Sequence, residues 1–236
     1  MENRNYNRRF PKEYGFLGSL FYLWFLNFVV APIGKLLYDI KIEGRENIDK
    51  KSKYLFAPNH VSYLDPPFTS LAGKRKFAYM AKQELFTDKN ALLRFLVIHL
   101  GAFAVNRENP EIATFKTVFD LLKTDWSLGI FPQGKISKEN AITTVQKGFV
   151  TIAKKAKFDI VPIGICGFDG YSKKLFGKHM TVKVGKPISY KLDDTEIIKQ
   201  WAAQICELTG LENKLEIYSK GIYNVITSDS EVIQFL

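Results

Sequence analysis

From residue 38 onward the chain alternates short apolar runs with longer segments of helical spacing, and this alternation constrains the fold most. Strands are predicted at YDIKIEG (38–44), KYLFAPN (53–59), FAYMAK (77–82), AFAV (102–105), SLGIFP (127–132), IVPIGICG (160–167) and MTVKVGK (180–186). Apolar residues three and four apart predict helices at 90–100, 110–124, 147–157 and 194–210, with a short helix after Pro67. Strands that alternate with helices are typical of α/β domains. We therefore expect an α/β fold with a mixed central sheet flanked by helices.

The N-terminal residues 1–37 differ from the rest and are expected to form a membrane-associated segment ahead of an α/β domain at 38–236. Residues 1–13 are polar and basic, whereas FLGSLFYLWFLNFVVAPI (16–33) is apolar. A signal peptide, a transmembrane helix and an interfacial helix all remain open. About 17 helical residues rise about 26 Å, short of a hydrocarbon core of about 30 Å, and Pro32 favours a kink or an end. These features favour a helical hairpin that inserts shallowly into one leaflet.

The charge balance predicts polyanionic partners. A net charge of +10 with a pI near 9.4 suits nucleic acid, anionic lipid headgroups or phosphate-bearing substrates. The chain has no recognised nucleic-acid motif, so we expect an anionic membrane surface rather than nucleic acid as the partner. Two cysteines without metal or disulfide spacing indicate reduced thiols on the cytoplasmic side, and three histidines make a metal cluster improbable.

The segment LFAPNHVSYLDPPF carries the pair that most resembles catalytic machinery. A predicted strand ends at Pro58, His60 follows, and Asp65 comes five residues later, before two prolines. A carboxylate that accepts a hydrogen bond from one ring nitrogen fixes the tautomer and leaves the other nitrogen free to take a proton. Such a base could activate a substrate hydroxyl, which is typically worth about 10²–10⁴-fold in rate. Taken alone, the same spacing also fits a structural His–Asp pair at a turn.

Three further segments join this pair in a recognisable order. Together they are Asn59-His60 with Asp65, Gly101-Ala102-Phe103-Ala104-Val105-Asn106-Arg107, Phe131-Pro132-Gln133-Gly134-Lys135-Ile136-Ser137 and Val161-Pro162-Ile163. In order and approximate spacing they resemble the four motifs of the glycerolipid acyltransferases typified by 1-acylglycerol-3-phosphate acyltransferase. The resemblance spans roughly residues 38–190. The four segments together are specific, although no single one is.

The resemblance implies transfer of a fatty acyl group from acyl-CoA or acyl carrier protein to a lysophospholipid hydroxyl, giving phosphatidic acid at the cytoplasmic face of a membrane. His60 and Asp65 would be catalytic, and backbone amides of the motif loops would stabilise the oxyanion. Substrate binding would fall to Asn59, Arg107, Phe131, Pro132, Gln133, Gly134 and Lys135, with Arg107 on the acceptor's phosphate. Neither a metal nor a cofactor beyond the thioester co-substrate is expected.

The third segment departs from the family pattern Phe-Pro-Glu-Gly-Thr-Arg-Ser. Gln133, Lys135 and Ile136 stand where the family has Glu, Thr and Arg. Gln keeps the hydrogen-bonding capacity of Glu but loses its charge, and Ile cannot bind phosphate. Either Lys135 restores phosphate recognition, or the acceptor is a different lysolipid or lipid alcohol. A catalytically silent lipid-binding relative is a further alternative.

Overall fold

The computed structural model describes residues 6, 8–105, 112–167 and 180–215. Within these ranges a seven-stranded sheet has the order β1-β8-β7-β2-β5-β3-β4, and β6 pairs with β9 in a separate two-stranded sheet. The strands are β1 Lys41–Glu43, β2 Tyr54–Pro58, β3 Phe77–Lys82, β4 Phe103–Val105, β5 Ser127–Gly129, β6 Ala141–Ile142, β7 Asp159–Cys166, β8 Thr181–Val184 and β9 Glu212–Asn213. All neighbours in the large sheet are parallel except β7 and β8. The expected mixed sheet is thereby confirmed.

Helices cover the sheet, as the helical spacing predicted. They are α3 Asp65–Gly73, α4 Ala91–His99, α5 Ile112–Leu121, α6 Gly148–Ala156 and α7 Asp194–Thr209. The longest of these, α7, packs on β7. Its N-cap is Asp193, whose side chain accepts a hydrogen bond from the Thr195 amide. Its fully buried Trp201 donates to the carbonyl of Ala57 at 2.8 Å. This bond fixes the end of the central strand β2, immediately before the His60 loop.

The N-terminal segment is one continuous helix, Phe16–Tyr38, rather than the expected hairpin. It consists of α1 (Phe16–Phe25), a π-helical stretch (Leu26–Val30) and α2 (Ala31–Tyr38). The Ala31 amide bonds to the Leu26 carbonyl five residues back. This shifted ladder lets the helix pass through Pro32, which has no N–H to donate. Because the helix continues past Pro32, it is longer than the segment of about 17 residues from which the sequence-based length was estimated.

The helix has the length and composition of one that can cross a membrane. Its 23 residues rise about 35 Å at 1.5 Å each, more than a hydrocarbon core of about 30 Å. One stripe, Tyr22, Leu26 and Val30, is buried against the α/β domain. The opposite face exposes large apolar side chains, among them Phe16, Leu17, Trp24 and Phe28. An exposed apolar face of this size is typical of contact with lipid or a partner, which gives modest support to membrane association.

Candidate active site

The sheet topology brings the first and third sequence segments together. The His60 loop follows β2, and the segment from Phe131 to Ser137 follows β5. These strands are parallel neighbours, with Leu55 paired to Leu128, so their carboxyl ends lie at the same edge of the sheet. That edge is where open α/β sheets bind their ligands. The Ser137 amide donates to the His60 carbonyl at 2.8 Å, which joins the two loops directly.

His60 and Asp65 form the hydrogen-bonded pair that the sequence predicted. His60 Nδ1 lies 2.7 Å from Asp65 Oδ2, and the same oxygen accepts from the Val61 and Ser62 amides at 2.7 and 2.8 Å. An acceptor oxygen at Nδ1 selects the tautomer that carries its proton there, so Nε2 is left with a lone pair. Within the described residues, Nε2 has no hydrogen-bond partner, and the His60 side chain is 15% exposed. The ring is therefore oriented and reachable.

The Asp65 carboxylate is almost completely enclosed. Its side chain is 1% exposed, and Oδ1 has no hydrogen-bond partner among the described residues. Burial raises the pKa of Asp65 above its ordinary value, because a charge in an apolar environment loses its hydration. The hydrogen bonds from His60, Ser62 and Val61 oppose this shift by favouring the ionised form. Asp65 is thus held at some cost to stability, as functional groups often are.

Aromatic rings form one wall of the pair. The Phe131 ring stacks on the His60 ring, with centroids 4.0 Å apart and an angle of 21° between the planes. Tyr79 of β3 stacks on Phe131 in turn, at 5.2 Å and 22°. Phe131 was expected to contact substrate, whereas the structure shows it packed against the imidazole, where it fixes one face of the ring. Tyr79 was missed, because only the adjacency of β3 and β5 brings it here.

Asn59 and Gln133, both expected to bind substrate, hold the loop in place. Asn59 is fully buried. Its side-chain Nδ2 donates to the Ile165 carbonyl at 3.1 Å, and its Oδ1 accepts from the backbone amide of Ile165 at 2.7 Å. Gln133 is 5% exposed, and its Oε1 accepts from the His60 amide at 2.8 Å. A substrate cannot reach the Asn59 side chain, because both ends of its amide are already bonded inside the protein.

The turn after Pro132, itself buried, needs a glycine. Gly134 has a φ of +71°, and its amide bonds to the Phe131 carbonyl at 3.0 Å. L-residues with a side chain rarely adopt this conformation. The turn places Lys135 at the surface. Arg107, expected on the acceptor's phosphate, lies outside the described residues.

Three amides of the first loop are already engaged in hydrogen bonds. The N–H of His60 bonds to Gln133, and those of Val61 and Ser62 bond to Asp65. These amides cannot also stabilise an oxyanion, so that part of the expectation is wrong. Donors to an oxyanion would have to come from elsewhere, such as the loop that contains Lys135.

Comparisons with known proteins agree with this geometry. The family model described as Acyltransferase matches residues 39–166. The chain is 33% identical over 186 residues to the 1-acyl-sn-glycerol-3-phosphate acyltransferase of Bacillus subtilis, covering 75% of this chain and 90% of that protein. It is 29% identical over 172 residues to the enzyme of that name from Streptococcus pneumoniae, covering 72% and 63%. The crystal structure of the 1-acyl-sn-glycerophosphate acyltransferase PlsC from Thermotoga maritima shares the fold, with a TM-score of 0.57, 20% identity and coverage of 81% and 76%.

Proposed function

The chain belongs to the Acyltransferase family, and we propose that it transfers a fatty acyl group from an acyl thioester to 1-acylglycerol-3-phosphate, giving phosphatidic acid. The observation that carries the proposal is the His60–Asp65 pair, whose geometry leaves Nε2 able to accept a proton. The name of the Bacillus subtilis relative supports the acceptor. The thioester is the only co-substrate, and the reaction needs neither a metal nor a cofactor.

His60 acts as the general base. Nε2 takes the proton of the acceptor hydroxyl while the oxygen attacks the thioester carbonyl carbon, and Asp65 stabilises the imidazolium that forms. The tetrahedral oxyanion then collapses, the carbon–sulfur bond breaks, and the proton on His60 passes to the departing thiolate. The products are an ester and a free thiol, without a covalent enzyme intermediate. The amides of Lys135 and Ile136 supply the hydrogen bonds to the oxyanion, since those of Gly134 and Ser137 in the same loop already bond to carbonyls of the protein.

Positive charge near the site suits both substrates. Arg107 and the exposed Lys135 bind the acceptor's phosphate, Arg107 with paired hydrogen bonds and Lys135 as a point charge. The donor is acyl-CoA or acyl carrier protein, both of which are anionic, and the net charge of +10 favours their approach. The replacement of the family's Arg by Ile136 favours a second candidate acceptor, a lipid alcohol without a terminal phosphate.

The N-terminal helix places the enzyme where its acceptor resides. Its exposed apolar face, with Trp24 at 51% exposure and Phe28 at 71%, contacts the acyl region of the cytoplasmic leaflet. Surface lysines and arginines add attraction to anionic headgroups, about 1 kcal/mol for each basic residue near the surface. A lysophospholipid can then reach His60 without leaving the membrane.

A thiol-release assay on lipid vesicles tests the proposal. The purified protein is given acyl-CoA or acyl carrier protein with a panel of acceptors, and the products are identified by mass spectrometry. We expect His60→Ala to lower turnover by several orders of magnitude while the protein remains folded. His99→Ala is the control, because His99 is exposed and, within the described ranges, its side chain hydrogen-bonds to the Phe95 carbonyl one helical turn away and not to the His60 loop.

Four outcomes would contradict the proposal. Thiol release that is unchanged in His60→Ala excludes His60 as the base. Release that does not require any acceptor indicates a thioesterase. Tight lipid binding without release identifies a lipid-binding relative, and a preference for acceptors without phosphate replaces 1-acylglycerol-3-phosphate by the second candidate.

A further inference from the structure

Buried hydroxyl groups connect the N-terminal helix to the first turn of α3. Tyr22, Thr69, Ser70 and Tyr79 are between 0% and 6% exposed. The Tyr22 hydroxyl donates to Ser70 Oγ at 2.6 Å and accepts from the Phe77 amide at 3.0 Å. The Tyr79 hydroxyl bonds to Thr69 Oγ1. Two hydroxyl pairs therefore lie side by side, and each joins a tyrosine to a residue of α3.

The two pairs end on the backbone carbonyls of Asp65, which orients His60, and of Pro66, the next residue. Ser70 Oγ donates to the Pro66 carbonyl at 2.8 Å, and Thr69 Oγ1 donates to the Asp65 carbonyl at 2.9 Å. These carbonyls belong to the first turn of α3. In that turn Asp65 is followed by two prolines, which have no N–H groups. Two successive hydrogen bonds thus link Tyr22 to the carbonyl of Pro66, the residue that follows Asp65.

Packing alone does not require the hydroxyl of Tyr22. Its ring makes an edge contact with Trp126, with centroids 4.8 Å apart, and a phenylalanine would fill the same space. The hydroxyl instead lies beside a small cavity lined mainly by apolar residues, among them Phe25, Leu26 and Pro67. A polar group in such surroundings is costly unless it is hydrogen-bonded, which points to a role for the bond itself.

We propose that Tyr22 is a positioning residue for acyl transfer, which rests on the function proposed above. Its hydroxyl, acting through Ser70, sets the place of the first turn of α3 and so aligns Asp65 with His60. The carboxylate is sensitive to this placement because Oδ1 has no partner among the described residues to hold it independently. The position of the N-terminal helix on the α/β domain is thereby coupled to the alignment of the catalytic pair.

Tyr22→Phe and Ser70→Ala break the link at two separate points. We expect each to lower kcat about two- to tenfold at saturating substrates, the range expected for one lost hydrogen bond, with KM for both substrates changed less than about twofold. A general loss of folded protein would also lower the apparent kcat, so kcat is expressed per folded protein for each variant. Both substitutions remove the same Tyr22–Ser70 hydrogen bond. We therefore expect Tyr22→Phe/Ser70→Ala to be as active as either single variant.

Tyr14→Phe is the matched control. Tyr14 is also a buried tyrosine in edge contact with Trp126, at 5.2 Å, but its hydroxyl donates to the Gly101 carbonyl at 3.3 Å instead of to α3. We expect its kcat to equal that of the wild type. Equal kcat in Tyr22→Phe and Tyr14→Phe, or effects of Tyr22→Phe and Ser70→Ala that multiply, would overturn the inference alone. Absence of His60-dependent thiol release in the wild type would overturn the proposed function and the inference together.

Discussion

Replacing Asp65 with asparagine isolates the charge of the catalytic pair from its geometry. Oδ2 accepts three hydrogen bonds, whereas Oδ1 accepts none within the described residues. Only an oxygen can face the three N–H donors, so the asparagine amide nitrogen must take the place of Oδ1. The three hydrogen bonds, the tautomer and the ring orientation of His60 are then kept. The negative charge is lost, and an NH2 group replaces Oδ1 where the described residues offer it no acceptor.

The structure sets the size of the expected loss in rate. Coulomb's law with an effective dielectric constant of about 20 gives about 4 kcal/mol for unit charges about 4 Å apart, which we take as the ceiling. A hydrogen bond to a charged group contributes at least about 1.5 kcal/mol, which we take as the floor. This range of transition-state stabilisation corresponds to a fall in kcat of about 10- to 900-fold. Asp65→Asn is therefore expected to remain more active than His60→Ala.

The same substitution is expected to become more favourable for stability, relative to the wild type, as the pH rises. Burial raises the folded-state pKa of Asp65, so its contribution to stability is full below the ordinary value of 3.8 and is lost as the pH rises through the raised pKa. Asparagine carries no charge at any pH and avoids this loss. The free energy of unfolding of Asp65→Asn relative to the wild type should therefore increase from acidic to neutral pH.

Asp120→Asn is a control with the opposite sign. Hydrogen bonds from Lys123 and Arg8 lower the pKa of Asp120, so its contribution is present above the ordinary pKa and is lost as the pH falls. Asp120→Asn should be less stable than the wild type at neutral pH and have unchanged kcat. Denaturant unfolding in detergent micelles from pH 4 to 8 and thiol release on vesicles measure both quantities. An Asp65→Asn variant that is as inactive as His60→Ala, or whose stability relative to the wild type does not increase from acidic to neutral pH, would refute the reasoning.

Two further predictions concern the residues that hold the loop. Asn59→Ala leaves the buried amide and carbonyl of Ile165 without partners and should lower the free energy of unfolding by about 2–4 kcal/mol, measured by denaturant titration. Gln133→Leu leaves the His60 amide without its acceptor and should cost about 1–3 kcal/mol and lower kcat, whereas Gln133→Glu keeps an acceptor oxygen and should retain more activity in the thiol-release assay. A Gln133→Leu variant with wild-type kcat would contradict the role of that bond.

The sequence predicted the main elements well where burial and periodicity agree. The run at 77–82 became β3 with the same bounds, because an apolar run of this length suits a buried strand and is too short for a typical helix. Prediction from the sequence failed where the secondary structure depends on pairing between distant parts of the chain. The two-residue strands Ala141–Ile142 and Glu212–Asn213 are too short to have a pattern, and only the packing of the chain brings them together. The continuous helix was missed because the π-helical stretch before Pro32 has no sequence signature.

The candidate site was predictable in its chemistry but not in its supports. His60 and Asp65 could be named because their residue types and order suggest a base and its partner. That Asn59 bonds to Ile165 could not be foreseen, since the two residues are far apart in the chain and meet only because β2 pairs with β7. A buried asparagine beside a catalytic residue at a strand end was nevertheless a usable signal. Asparagine amides commonly complete such ends, because one side chain supplies both a donor and an acceptor.

The structure also separates the three departures of the third segment into two kinds. At position 133 the loop uses a side-chain oxygen to accept from the His60 amide, and glutamine supplies that oxygen as glutamate would. The loss of charge there leaves the support of the catalytic pair intact. Lys135, by contrast, is exposed, and Ile136 is partly exposed beside it, so these are positions that a substrate can reach. Any change in acceptor preference relative to the family therefore has its physical basis at 135 and 136, where Ile136 replaces the family's Arg and Lys135 supplies a cation one position earlier, and not at 133.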